Sequence, residues 1–395
     1  MRIFISTGEV SGDLQGAMLV EALQRQAQRS GTKLEIVALG GERMAAAGAT
    51  LLADTTHIGS VGLLESLPFV LPTWRIQRRA QRYLQRHPPD LAVLIDYPGP
   101  NLAIGTALRR KLPGVPVVYY IAPQEWVWSP LPQNSKQIAR IADRLLAIFP
   151  AEAEHFRRYG ASVSWVGHPL LDRMQQAPSR AQARARMGLS EDDIAIALLP
   201  ASRRQELARL LPVLFAAARR IQAQQPRAHF WIPLSAAAHR GALERAIARY
   251  GLRATLWPGA TLDGIAAADL VLAKSGTVNL EAALLAVPQV VAYRVHPVTA
   301  WIARRLLRFS VPFVSPPNLL AQEAIVPEFL QAAATPDRIA RQALALLQEP
   351  QQRQAMLAGY QRVREAAGEA GVCDRAASEI LGLVAPKPNQ PAGTR

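Results

Sequence analysis

KSGTVNLE, residues 274–281, follows the apolar run Leu270 to Ala273, and the way this junction is read decides the fold. The run enters as a strand, and Ser275, Gly276 and Thr277 open a helix directly behind it. That order leaves the first N–H groups of the helix unpaired and puts the positive end of its dipole at the turn, a setting that suits phosphate oxygens. Glu281 follows Ser275 by roughly 9 Å of helix rise. This matches the reach from a diphosphate to the ribose of the same nucleotide, where a carboxylate accepts hydrogen bonds from two vicinal hydroxyls. The plainer alternative makes Ser275 an N-cap and Glu281 a solvated helix residue.

Outward from this stretch the pattern repeats. Ile194 to Leu199 is another apolar strand, and LLPASRRQE turns at Pro200, Ala201 and Ser202 into an amphipathic helix, Leu207 to Gln224. Arg203 stands at that turn, where it either neutralises a diphosphate or pairs with Glu206 on the surface. Strands at His229 to Ile232, Arg253 to Leu256 and Gln289 to Ala292 alternate with helices. Beyond them lies a proline-punctuated segment, SPPNLLAQEAIVPEFLQ, that carries Asn318, Glu323 and Gln331.

The alternation also runs back to the first residue. Arg2 to Ser6 reads as a strand, GEVSGD at Gly8 to Asp13 as a glycine loop, and Leu14 to Gln28 as a helix. Gly8, Ser11 and Gly12 shape that loop, and Glu9 and Asp13 are its carboxylates. Loops at the carboxyl ends of parallel strands are where open α/β sheets bind ligands, although a tight turn could need its glycines for backbone reasons alone. Leu91 to Ile95 ends in Asp96, inside IDYPGPN, placed either as a general base or as a cap for the helix near Asn101. With Lys33 to Leu39, Val115 to Ile121, Leu145 to Phe149 and Ser162 to Val166, a sheet of six or seven strands is expected.

Gly167, His168 and Pro169 stop the pattern. The simplest architecture is therefore α/β, with two Rossmann-like parallel-sheet domains facing across a cleft. The first covers 1–170 and the second 171–360, followed by terminal helices over 361–384 and a disordered polar tail over 385–395.

The net charge of +15, mostly from arginine, favours anionic partners. No paired Cys/His spacing, RNP-like strand or basic run before heptads accompanies it, so nucleic acid is not expected. The single cysteine, Cys373, excludes an intramolecular disulfide and fits a reducing compartment. MRIFISTGEVSGD is not a signal peptide, and no apolar run is long enough to span a bilayer. A cytoplasmic chain, soluble or attached to a membrane surface, is expected. From Gly62 to Arg86, Phe69, Leu71 and Trp74 are interleaved with Arg75 and Arg78, as in an interfacial helix on anionic lipid or a core helix with a solvated basic face. Trp301 to Arg308 repeats the mixture.

Together these features describe glycosyl transfer from a nucleotide sugar. The sequence holds no Asp-x-Asp, His-Glu-x-x-His or Cys/His cluster, so no metal and no cofactor are expected. Helix dipole and arginine are left to stabilise the leaving diphosphate.

GEVSGD (Gly8–Asp13), GGERM (Gly40–Met44), IDYPGPN (Ile95–Asn101), VGHPLLD (Val166–Asp172), LLPASR (Leu198–Arg203), SGTVNLE (Ser275–Glu281) and PNLLAQEAIVPEFLQ (Pro317–Gln331) resemble, in order and spacing, the lipid A disaccharide synthase family. The resemblance runs through nearly the whole chain. It implies a GT-B fold and an inverting transfer of 2,3-diacylglucosamine from its UDP derivative to the 6-hydroxyl of 2,3-diacylglucosamine 1-phosphate. UDP is released and the linkage is β-1,6. Asp96 is the candidate base, with Glu9 and Asp13 in reserve, and the UDP set is Arg203, Ser275, Gly276, Thr277, Glu281, Asn318 and Gln331. An anionic inner-membrane surface and a second copy of the chain are the further partners implied. The chain departs from the family's usual residues at Ala201, where glycine is usual, and at Gly99, where a second acid is frequent. Two other readings stay open: a UDP-N-acetylglucosamine epimerase or other GT-B transferase, and a nucleotide-binding relative without turnover.

Overall fold

The computed structural model describes residues 1–57, 67–128, 132–200, 204–234, 239–305 and 311–384. Ala201, Arg203, residues 306–308 and the tail from 385 lie outside them. The chain forms two compact units, Met1–Pro169 rejoined by the chain from Glu369, and Leu170–Gly368.

The first unit is built on β1 (Arg2–Ser6), β2 (Glu35–Gly40), β3 (Thr50–Asp54), β4 (Leu91–Ile95), β5 (Val117–Tyr120), β6 (Arg144–Ala147) and β7 (Val163–Trp165), in the order β3-β2-β1-β4-β5-β6-β7. The second is built on β8 (Ile194–Leu199), β9 (Ala228–Pro233), β10 (Ala254–Trp257), β11 (Leu270–Lys274), β12 (Gln289–Tyr293) and β13 (Glu328–Leu330), in the order β10-β9-β8-β11-β12-β13. Every pairing between the described strands is parallel. Parallel sheets are covered by helices on both faces, which is why their strands read as unbroken apolar runs. All of Leu91–Ile95 is buried, as are Leu270 to Ala273. The α/β class and the two Rossmann-like sheets are those expected.

In each sheet the winding reverses once, between β1 and β4 in the first and between β8 and β11 in the second. The crevice for a ligand opens at the carboxyl ends of such a strand pair. Sequence motifs fall at these points: Gly8 follows β1, Asp96 follows β4, and Ser275 follows β11.

Three features differ from expectation. The first helix is Val10–Arg29, so Ser11, Gly12 and Asp13 form its opening turn and not a loop. Gly12 permits this, because a Cβ there would stand 1.9 Å from the Thr7 hydroxyl oxygen. The edge strands β3 and β13 are only half-buried and lack the apolar signature of central strands. Finally, the segment 361–384 is not one piece. Pro350–Ala367 belongs to the second unit, whereas Val372–Gly382 packs on Val10–Arg29, with Arg25 paired to Asp374 at 3.0 Å.

Helix Val70–Arg86 accepts Pro72 in its first turn, where a missing N–H breaks no intrahelical bond. It buries Gln77, Ala80 and Leu84 and exposes Leu71, Trp74, Arg75 and Arg78, with the Arg78 guanidinium 4.4 Å above the Trp74 ring. Phe69, expected on the lipid-facing side, is half-buried at the N-cap position of this helix.

Candidate active site

The turn after β4 is strained. Asp96 and Tyr97 have φ of 46° and 51°, two consecutive left-handed residues that carry side chains, at a cost on the order of 1–2 kcal/mol each. Such strain persists only where the surroundings impose it. Asn101, fully buried, donates its amide to the carbonyls of Ile95 at 3.0 Å and Asp96 at 2.8 Å and accepts the Ser6 hydroxyl at 2.7 Å. The Tyr119 hydroxyl donates to the Asp96 carbonyl at 2.9 Å, and the Asp96 N–H donates to Ile121, itself left-handed at φ 59°. Helix Pro98–Lys111 takes Tyr97, and not Asp96, as its N-cap residue.

Tyr97 closes the gap between the two strand ends. Its ring lies against Gly8, where a Cβ would come within 2.2 Å of the ring carbons. Burial pushes the Tyr97 phenol up, a hydrogen bond with Thr73 pulls it back, and the nearby Glu9 carboxylate raises it further. Gly8, Glu9, Thr73, Asp96 and Tyr97 therefore share one neighbourhood at the reversal of the first sheet. Asp13 does not join them as an acid or base: its buried carboxylate accepts the N–H groups of Gly41 at 2.8 Å, Met44 at 3.1 Å and Arg43 at 3.2 Å. It caps the short helix Glu42–Ala46, and its proposed reserve role loses support.

A further carboxylate, absent from the sequence reading, lies on the same edge of the sheet. Glu152 is buried and accepts the N–H groups of Ala122 at 2.9 Å, Ile148 at 2.8 Å and Phe149 at 3.2 Å. Burial nonetheless raises its pKa to about 8, with the three N–H bonds opposing and the Asp96 charge adding to the rise. Burial also pushes Tyr119 well up, and Asp96 and Glu125 add to it.

In the second unit, the turn after β11 is built as expected, with the proton of its hydroxyl already engaged. The Ser275 hydroxyl donates to the Val314 carbonyl at 2.7 Å, and the Gly276 N–H donates to Asn279 Oδ1 at 2.7 Å. Asn279 is thus the side chain that orders the start of helix Thr277–Leu284. The opening N–H groups of Thr277 and Val278 are then the ones a phosphate would meet. Lys274 pairs with Glu206 at 2.8 Å beside the turn.

Glu281 is 2% exposed and forms an ion pair with Arg173, so it is not a solvated helix residue. Sequence reasoning missed Arg173, which directly follows the quoted VGHPLLD. Asn318 is buried and fully used: Oδ1 accepts the N–H groups of Ile325 at 3.0 Å and Val326 at 2.8 Å, and Nδ2 donates to the Val326 carbonyl and Glu328, both at 2.8 Å. It ties down its own loop, which removes the ground for placing it in the UDP set. Gln331 is left-handed at φ 50° and accepts from Arg294 at 3.2 Å through its carbonyl. Among the described residues no group of three or more His, Cys, Asp and Glu side chains is arranged to hold a metal ion. No described helix is long and apolar enough to cross a membrane.

The profile of the lipid-A-disaccharide synthetase family matches residues 3–381. The chain is 58% identical over 384 residues to the lipid-A-disaccharide synthase of Gloeothece citriformis (strain PCC 7424), covering 97% of this chain and 100% of that one. It is 54% identical over 383 residues to the lipid-A-disaccharide synthase of Synechocystis sp. (strain ATCC 27184 / PCC 6803 / Kazusa), covering 96% and 97%. Among solved structures, a putative UDP-N-acetylglucosamine 2-epimerase from Listeria monocytogenes superposes with a TM-score of 0.68 at 16% identity, covering 99% of this chain and 98% of that one. At that identity the likeness is one of fold alone.

Proposed function

The chain belongs to the lipid-A-disaccharide synthetase family, and on that premise we propose that it transfers 2,3-diacylglucosamine from its UDP derivative to the 6-hydroxyl of 2,3-diacylglucosamine 1-phosphate. Membership makes it a glycosyltransferase; the epimerase reading falls, since likeness to an epimerase extends only to the fold.

The observation that carries the mechanism is the imposed left-handed turn at Asp96 and Tyr97, at the winding reversal of the first sheet. Displacement at the anomeric carbon requires the acceptor hydroxyl to lose its proton as it attacks. Asp96 takes that proton as general base, held in place by Asn101 and Tyr119. The leaving UDP is received by the second unit. Its phosphates meet the N–H groups at the start of Thr277–Leu284 together with Arg203, and its ribose hydroxyls meet Glu281. Inversion at carbon 1 follows from attack opposite the leaving group in one displacement and gives the β linkage.

The exposed Leu71, Trp74, Arg75 and Arg78 support docking on an anionic membrane at the cytoplasmic face, where acylated substrates reside. A homodimer is part of the same reading, and sedimentation would test it. Incubation with the two diacylated sugars and product analysis by mass spectrometry tests the reaction. Equimolar UDP and disaccharide 1-phosphate are expected. UDP binding with no product from any acceptor would leave only a nucleotide-binding relative.

A further inference from the structure

Past β5 the chain turns at Ile121, whose φ of 59° makes it the only β-branched residue among the described ones that carry a side chain at positive φ. That conformation is least tolerated by a side chain branched at Cβ, so the surroundings must impose it. The Ile121 carbonyl accepts the Asp96 N–H at 2.9 Å. The N–H of the same peptide unit, that of Ala122, donates to Glu152 Oε1 at 2.9 Å. A peptide unit is planar and stiff, so whatever orients its N–H also orients its carbonyl. Asp96 and Glu152 therefore hold opposite ends of one plane.

Glu152 is the third residue of helix Pro150–Arg158, and its Oε2 accepts the N–H groups of Ile148 at 2.8 Å and Phe149 at 3.2 Å, as a carboxylate capping its own helix does. Oε1 faces away from that cap, towards Ala122, 30 positions earlier, and the residue is 1% exposed. A helix cap alone gains nothing from such burial, which penalises an acidic group, whereas a link between strand ends requires it. Since β4, β5 and β6 are neighbours in the sheet, Asp96, the Ile121–Ala122 peptide and Glu152 join three successive strand ends in series.

We propose that Glu152 is a positioning residue of the transfer reaction, holding the Ile121–Ala122 peptide so that its carbonyl fixes the backbone of Asp96 and, through it, the carboxylate. The inference deepens the proposed function and rests on it for the role of Asp96 as general base. Misplacing a reacting group by about 1 Å costs on the order of 10²-fold in rate, so a slack link at Ala122 is visible in turnover.

Glu152→Asp tests this, because the carboxylate keeps its place at the start of the helix but is one methylene too short to serve Ile148, Phe149 and Ala122 together. Glu152→Gln is the second variant: its single acceptor oxygen must give up either the helix or Ala122. Amide hydrogen exchange at Asp96 should quicken at least tenfold in both. The kcat for disaccharide formation should fall tenfold or more, with UDP affinity and the donor KM within twofold of native. In the Asp96→Asn background the same substitutions should change kcat less than twofold, because the group they position has already lost its basicity. A structural role alone lowers kcat by the same factor in both backgrounds, and that result would overturn the inference. Native exchange at Asp96 in Glu152→Asp would also overturn it, whatever the turnover, and would leave Glu152 a helix cap. A native chain that forms no disaccharide removes the proposed reaction, while exchange at Asp96 still decides whether Glu152 holds the turn.

Discussion

The ring of Tyr97 lies directly on Gly8, so that the turn after β4 and the turn after β1 are packed face to face with no room for a side chain between them. A methyl group at residue 8 would meet aromatic carbons at 2.2 Å, and the ring cannot yield without moving the strained backbone of Asp96. Gly8→Ala is therefore expected to cost about 1–3 kcal/mol of stability, as overpacking does, and to lower kcat in the fraction that folds. Chemical denaturation and initial-rate assays on the same sample check both. Unchanged turnover would detach Tyr97 from the positioning of Asp96.

Glu152 gives the chain a pH dependence of definite sign. Its folded pKa of about 8 stands above its ordinary 4.5, so the folded protein keeps a proton that the unfolded chain has released. The stabilisation is complete below pH about 4.5 and is lost as pH rises towards 8. Urea midpoints measured from pH 5 to 8.5 should fall for the native chain relative to Glu152→Gln. Parallel curves would mean that its three N–H donors outweigh burial.

Arg173 and Glu281 form a buried pair, and deleting one partner of such a pair typically costs about 3–5 kcal/mol because the other charge is left uncompensated. Since Arg173 keeps 23% of its side chain exposed, water screens part of this and the lower end is expected for Arg173→Ala. Glu281→Gln should weaken UDP at least tenfold, if its carboxylate receives the ribose hydroxyls. Calorimetry with UDP on Glu281→Gln decides the second point independently of the first.

Basic residues near an anionic leaflet contribute about 1 kcal/mol each. Replacing Trp74, Arg75 and Arg78 together by Ala, Gln and Gln should abolish co-sedimentation with phosphatidylglycerol vesicles at moderate salt and leave UDP binding intact. Retained co-sedimentation would move the membrane contact away from helix Val70–Arg86.

Much of this was legible in the chain because buried parallel strands announce themselves. LAVLI and LVLA are continuous apolar runs, and the residues that end them, Asp96 and Lys274 with Ser275, stand where a winding reversal puts a ligand. The helix start at Val10 was obscured by two glycines, which read as a loop until Thr7 is seen to pack on Gly12. Residues that act through tertiary contacts gave no local signal. Nothing near Asn318 in sequence says that its amide is consumed by Val326 and Glu328, and nothing near Glu281 points to Arg173, more than a hundred positions earlier. Asn101 and Tyr97 were inside a quoted motif, yet their work of holding Asp96 depends on Ser6, Tyr119 and Gly8 from other strands.

The most direct test of the account is kcat for Asp96→Asn, with UDP affinity measured on the same preparation. The substitution keeps the shape of the side chain and removes its basicity. A loss of about 10²- to 10⁴-fold in kcat, with UDP affinity and melting temperature unchanged, is the expected result. An Asp96→Asn enzyme that turns over at the native rate would contradict it and take the general base away from the turn after β4.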